Sequence, residues 1–202
     1  MKAKLIPFMA VVIFFVVGCG SAPDNQQPPP PAPPTNETTV EATDIPSTSS
    51  DGTFTLTSSE VSEGGELPKE FTCDGSSATL PLSWSDVPEG TKSFAVIMHH
   101  IPGPGDSHWY WVLYNIPANV TSLEKNTSGI GALGNNSVNS ETKYAPPCSK
   151  GPGEKLYTYT VYALSAEPQL NVSASEVSRD VLLNAIKDIT LASATLNVTY
   201  TR

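Results

Sequence analysis

FAVIMHHIPGPGDSHWYWVLY, residues 94–114, sets two apolar runs on either side of a segment that cannot stay extended. FAVIM and WYWVLY are rich in Val, Ile, Trp and Tyr, side chains that suit a pleated, half-buried surface. Pro102, Gly103, Pro104 and Gly105 between them must turn the chain at a sheet edge. All three histidines of the chain, His99, His100 and His108, fall in this stretch. They are therefore expected to gather at one mouth of a β structure, and a site is expected there.

Outward from this hairpin the chain reads as strands. Thr53–Ser58 alternates in the FTLTS manner, and Leu82–Trp84, Ser93–His99, Tyr110–Ile116 and Leu156–Leu164 follow, the last carrying YTYTVYAL with period-two alternation. Cys73-Asp74-Gly75, Pro88-Glu89-Gly90 and Lys150-Gly151-Pro152-Gly153 supply turn chemistry between them. One helix is expected late in the chain. Ser173 and Glu176 have capping-box spacing, and Val177, Val181, Leu182, Ala185, Ile186 and Ile189 fall on one helical face. A closing strand over Ala194–Tyr200 turns Leu196, Val198 and Tyr200 inward. The fold class is mainly β.

The N-terminus points to export. Lys2 and Lys4 precede an almost uncharged run from Leu5 to Val17, then Gly18 and Cys19. A basic start, an apolar core and a small residue at the cut describe a secretory signal over residues 1–18, and the run is shorter than the about 20 residues that span a bilayer. Val16-Val17-Gly18-Cys19 resembles the prokaryotic lipobox, which makes Cys19 the lipidated first residue of the mature protein; a plain membrane anchor is the alternative. Residues 19–51 are dominated by Pro, Ser, Thr, Asn and Gln, with a run from Pro28 to Pro31, and read as a disordered tether. Residues 52–202 have the size of one domain with a real core.

Charge and cysteines bound the partners. The formal net charge is −9, and more negative once Lys2 and Lys4 are removed. Such a surface repels phosphate backbones, which argues against nucleic acid, and no polybasic patch addresses anionic lipid. Membrane association is expected through the lipid alone. Cys73 and Cys148 remain as an even pair. In an exported domain such a pair reads as a disulfide, two buried thiols being the alternative.

Six strings, in order, carry a resemblance. Thr72-Cys73-Asp74-Gly75, Pro81-Leu82-Ser83-Trp84, Val87-Pro88-Glu89-Gly90-Thr91-Lys92-Ser93, Trp111-Val112-Leu113-Tyr114-Asn115-Ile116-Pro117, Pro147-Cys148 and Tyr162-Ala163-Leu164 resemble the phosphatidylethanolamine-binding protein family. The resemblance is to its bacterial and archaeal Raf-kinase-inhibitor-like branch. It runs from Phe54 to the C-terminus. It implies a large antiparallel sheet, a smaller second sheet and a small anion pocket at one edge, in a family that binds phosphate-like groups and includes inhibitors of kinases or proteases.

The family pocket is built from an Asp-Pro-Asp-x-Pro loop, a His opening the following strand and a His opening a later one. Here the first Asp falls on His100, in His100-Ile101-Pro102-Gly103-Pro104; the next position is Tyr110 and the last is Lys155. All three polar positions are substituted. An imidazole, a phenol and an ammonium replace them, each able to donate to an oxyanion, and the carboxylate that would repel an anion is gone. The expected ligand set is His100, Tyr110, Lys155, His108, Pro102 and, by the family's layout, Tyr144 at the head of the Tyr144-Ala145-Pro146-Pro147-Cys148 wall. The alternative is a pocket filled by Tyr110, with Lys155 in solvent.

No cofactor, metal or catalysis is expected. His99 and His100 are adjacent on a strand and face opposite ways, so at most one can join His108, with Asp106 as a third candidate. Neither a Gly-x-Ser-x-Gly elbow, a His-Glu-x-x-His motif nor a Walker loop occurs in the sequence. Ser107 beside His108 suggests a nucleophile and its base, but adjacent residues rarely achieve the geometry that pair requires. The expected function is therefore non-enzymatic binding of a small anion by a surface-tethered protein. Inhibition of an extracytoplasmic protease or another protein target is the alternative. Whether residues 126–144, rich in Gly and Asn, close over the pocket or hang free is open at this level.

Overall fold

The computed structural model describes residues 52–102, 106–148, 150 and 152–202. The expected signal segment, the tether and Cys19 lie outside them. Two antiparallel sheets carry the fold. The larger comprises β3 (Ser93–His100), β4 (His108–Pro117), β6 (Ala132–Leu133), β7 (Glu154–Leu164) and β8 (Thr190–Thr201), in the order β6-β4-β3-β7-β8. The smaller comprises β1 (Thr55–Thr57), β2 (Leu82–Ser85) and β5 (Ser122–Leu123), in the order β1-β2-β5.

Strand β3 shows why FAVIM does not alternate. Phe94, Val96 and Met98 face the core between the sheets, while Ala95 and Ile97 join the second apolar cluster with Val177, Leu182 and Ile186. Both faces are covered, so every residue from Ser93 to Met98 is buried. Phe94 stacks on Phe54 at 6.4 Å and tilts against Trp84 at 5.2 Å, joining the two sheets. Burying one such ring contributes about 1.5–3 kcal/mol. In β7, Tyr157, Tyr159 and Val161 face the inter-sheet core, which is the period-two pattern of YTYTVY realised.

The helix departs from expectation. The Ser173–Glu176 capping box forms, but it closes a single 3-10 turn over Ala174–Glu176. Helix α1 (Arg179–Ile186) starts later, with Ser178 as its N-cap accepting the Val181 N–H at 3.2 Å. Val177 breaks the run because its carbonyl accepts the Asn135 N–H at 2.9 Å and its side chain is buried. A tertiary contact thus overrides local periodicity. Ile189 lies beyond the helix, and β8 begins at Thr190 rather than Ala194. β1 is shorter than expected, and β5 and β6 were not anticipated.

Cys73 and Cys148 form a disulfide, with Cα atoms 5.2 Å apart across 75 residues of sequence. The Cys73 N–H donates to the Pro147 carbonyl at 3.0 Å, so backbone and sulfur fasten the same two loops.

Candidate functional site

The turn end of the β3–β4 hairpin meets the start of β7. Residues 101–107 connect β3 to β4, and 103–105 among them lie outside the described residues. His100 pairs directly with His108 across the hairpin. Lys155 and Tyr157, two apart on β7, share one face of the adjacent strand. A cavity of about 480 Å³ opens here, bordered by His100, Pro102, His108, Tyr110, Lys155 and Tyr157. Ser137, Val138, Cys148 and Lys150 complete its wall from two loops.

His100 is held by its backbone neighbour. Its Nδ1 lies 2.6 Å from the Leu156 carbonyl, and its ring sits 5.3 Å from that of Tyr157. A carbonyl can only accept, so Nδ1 carries a proton and Nε2 is the nitrogen left for a ligand. Tyr110 meets Tyr157 edge-on at 5.4 Å. Burial pushes the Tyr110 phenol above its ordinary value, opposed by its hydrogen bond to Tyr157. Burial also raises Tyr157, with Tyr110 adding to the effect. Both phenols therefore stay neutral donors at physiological pH. Tyr110 lines the cavity without filling it.

The loop of residues 126–144 is a built wall. Gly134 N–H donates to the Val112 carbonyl at 2.8 Å, Ser137 N–H to the Trp109 carbonyl at 2.9 Å, and Ala145 N–H to the Tyr110 carbonyl at 2.8 Å. Asn136, 1% exposed, is saturated by the backbone of its own loop: its amide donates to the Glu141 and Lys143 carbonyls, and its oxygen accepts the Val138 and Asn139 N–H groups. Gly134 is required where the loop passes between strand and helix lead-in. A Cβ there would lie 2.3 Å from the Val177 carbonyl oxygen and 2.8 Å from Val112 Cγ1.

Five of the six expected ligand residues meet on one cavity: His100, Pro102, His108, Tyr110 and Lys155. Tyr144 does not border it. Its hydroxyl donates to the Phe71 carbonyl at 3.2 Å and its ring packs on Trp111 at 5.7 Å, so it fastens the wall from behind. His99 faces the helix side of the sheet. Burial, then the Arg179 guanidinium, then His100, hold its imidazole below the ordinary value. Among the described residues there is no group of three or more His, Cys, Asp or Glu placed to hold a metal ion.

Sequence reasoning missed Tyr157, Ser137, Val138 and Lys150 as wall residues. Tyr157 was readable as two positions beyond Lys155. Ser137 and Val138 carried no local signal, because only the ladder to Trp109 brings them in.

Comparison with known proteins adds a family. The sequence profile of the phosphatidylethanolamine-binding protein family matches residues 57–201. A UPF0098 protein of Methanothermobacter thermautotrophicus is 34% identical over 143 residues, 68% of this chain and 92% of that protein. The UPF0098 protein YbcL of Escherichia coli is 32% identical over 162 residues, 73% of this chain and 87% of that protein. The crystal structure of E. coli YbcL, described as a member of the mammalian PEBP family, superposes with a TM-score of 0.66 at 29% identity, covering 74% of this chain and 98% of that one. A Chlamydia trachomatis protein described as a homologue of the phosphatidylethanolamine-binding protein gives a TM-score of 0.67 at 29% identity, over 74% and 97% of the two chains.

Proposed function

This chain belongs to the phosphatidylethanolamine-binding protein family, and as a binding protein of that family we propose that it takes a small anion, phosphate or a phosphorylated headgroup, into the cavity between β3, β4 and β7. One observation carries the reading. Two imidazoles and two ammonium groups, His100, His108, Lys150 and Lys155, border the same cavity, and among the described residues no carboxylate lines it. In a chain with 20 acidic and 11 basic residues this segregation is not what an indifferent surface would produce. Neutral phenols at Tyr110 and Tyr157 add donors on an apolar floor, the usual composition of a small-ligand site. Binding without catalysis is the reading because the lining hydroxyl of Ser137 is engaged with the Trp109 backbone, accepting its N–H at 2.9 Å and donating to its carbonyl at 3.0 Å.

The same proposal places the protein outside the cytoplasm, tethered through Cys19. The Cys73–Cys148 bridge favours an oxidising compartment. Replacing Cys19 by Ala is then expected to move the protein from the membrane to the soluble fraction.

The anion reading is tested by following amide and imidazole NMR shifts while adding phosphate or phosphoethanolamine. Saturable shifts centred on His100, Tyr110 and Lys155, lost in His100→Ala and Lys155→Ala, are expected. Absence of shifts at millimolar ligand refutes the reading and turns the search to a protein target.

A further inference from the structure

The hydrogen bond that holds His100 also decides what its free nitrogen can accept. With Nδ1–H donating to the Leu156 carbonyl at 2.6 Å, the neutral ring presents a lone pair at Nε2, and only the protonated ring presents an N–H there. An anion without a proton, such as sulfate, meets lone pair against lone pair unless the ring takes up a proton. Hydrogen phosphate carries its own hydroxyl and meets a matching acceptor.

Resting on the anion reading above, we propose that His100 makes this cavity take an anion together with one proton, supplied by the ligand's acidic hydroxyl or captured by His100. The favoured class at neutral pH is then a protonated phosphate or phosphomonoester, and fully deprotonated oxyanions enter only on acidification.

The groups around His100 are compatible with this. Directly across on β4 stands His108, with Tyr110 two residues on. From β7 come Lys155 and Tyr157, and from the loop before it Lys150. His99, next along β3, faces the other side of the sheet. Among the described residues the cavity lining therefore offers an imidazolium no carboxylate, and the counter-charge is the ligand itself. An Asp in place of His100 would be ionised near neutral pH and acceptor-only there, with no proton to donate. A histidine with Nδ1 locked can do either, and that difference sets the selectivity.

Sulfate and phosphate are the two probes, titrated into the purified protein by calorimetry from about pH 5 to 8. Sulfate has no proton to bring, so its dissociation constant is expected to rise with pH, approaching tenfold per unit for one linked proton. Phosphate should show a much shallower dependence and bind more tightly at the upper end. His100→Gln should lose the sulfate slope, whereas His108→Asn and Lys155→Gln should weaken binding and keep it. Should His100→Gln fail to fold, buffers of different ionisation heat count the protons on the native protein. About one taken up with sulfate and fewer with phosphate at high pH supports the proposal. Equal counts, or a slope that survives His100→Gln, overturns it while leaving the anion reading intact. No binding of either anion at any pH defeats the anion reading and the proposal together.

Discussion

Replacing Cys73 and Cys148 together by Ala removes a cross-link between positions 75 residues apart. In the chain-entropy description, a loop of that length restricts the unfolded chain by an amount worth about 4.5 kcal/mol at 25 °C. For a domain of this size, each kcal/mol moves the midpoint by roughly 2–4 °C, so thermal unfolding should fall by roughly 9–18 °C. The folded wall itself should survive. The Cys73 N–H to Pro147 bond, the Ala145 N–H to Tyr110 bond and the Tyr144 hydroxyl on Phe71 all remain to hold residues 144–148 in place. The assay pairs denaturant and thermal unfolding of wild type and double variant with phosphate titration of both at 25 °C. The expected result is a large loss of stability with little change in affinity. A loss below about 1 kcal/mol would show that the bridge does not constrain the unfolded chain. A native-like variant that no longer bound phosphate would show that the bridge shapes the cavity and that those three hydrogen bonds cannot hold the wall alone.

Burial raises the phenols of Tyr110, Tyr144, Tyr157 and Tyr159. The folded chain holds these protons more tightly than the unfolded one, so their contribution is complete below about pH 10 and is lost as pH climbs beyond it. Phenolate absorbance should therefore rise together with loss of tertiary circular dichroism, and ionisation of these rings in a still-folded protein would contradict their burial. His99 is the opposite case: its folded-state value is depressed, chiefly by burial and then by Arg179. Its contribution is present above about pH 6.5 and declines as pH falls, and His99→Gln should flatten the stability profile on the acid side. Gly134→Ala drives a methyl into the Val177 carbonyl and Val112 and should cost about 1–3 kcal/mol in denaturant unfolding.

The strands were legible because burial writes a period into them. β3 reads as unbroken apolar residues because both its faces are covered, and β7 alternates because Tyr157, Tyr159 and Val161 face the inter-sheet core while the threonines between them face the other way. The helix start was misread because Ser173 and Glu176 satisfy each other locally, whereas the chain's path through Val177 is set by Asn135 from a distant loop. The site divides the same way. His100, His108, Tyr110 and Lys155 sit at strand ends and could be placed from the pattern and the resemblance. Val138, Ser137 and Lys150 enter from loops whose course depends on ladders and turns. Tyr144 was assigned to the pocket by layout, but a phenol on that wall finds the Phe71 carbonyl first.

Among its described residues, this acidic chain lines the cavity without a carboxylate by two means. One is the pleat. Glu154 precedes Lys155 on β7, and alternation sends the two side chains to opposite faces, so the acid is carried away from the cavity by the geometry that delivers the ammonium to it. The other is pairing. Asp74, beside the bridged Cys73, lies 3.0 Å from the Arg202 guanidinium and accepts the Tyr200 hydroxyl. Its charge is thereby answered by a guanidinium that also touches the Cys148 sulfur. The net charge of −9 still repels anions at long range, but that field is screened beyond about 10 Å at 0.1 M salt, whereas donors in contact with a ligand are screened much less. Approach of an anion is therefore opposed by the whole protein and its capture favoured by a few residues. Added salt should speed association before it weakens binding, the reverse of the order expected where a ligand is drawn in by a domain of opposite sign.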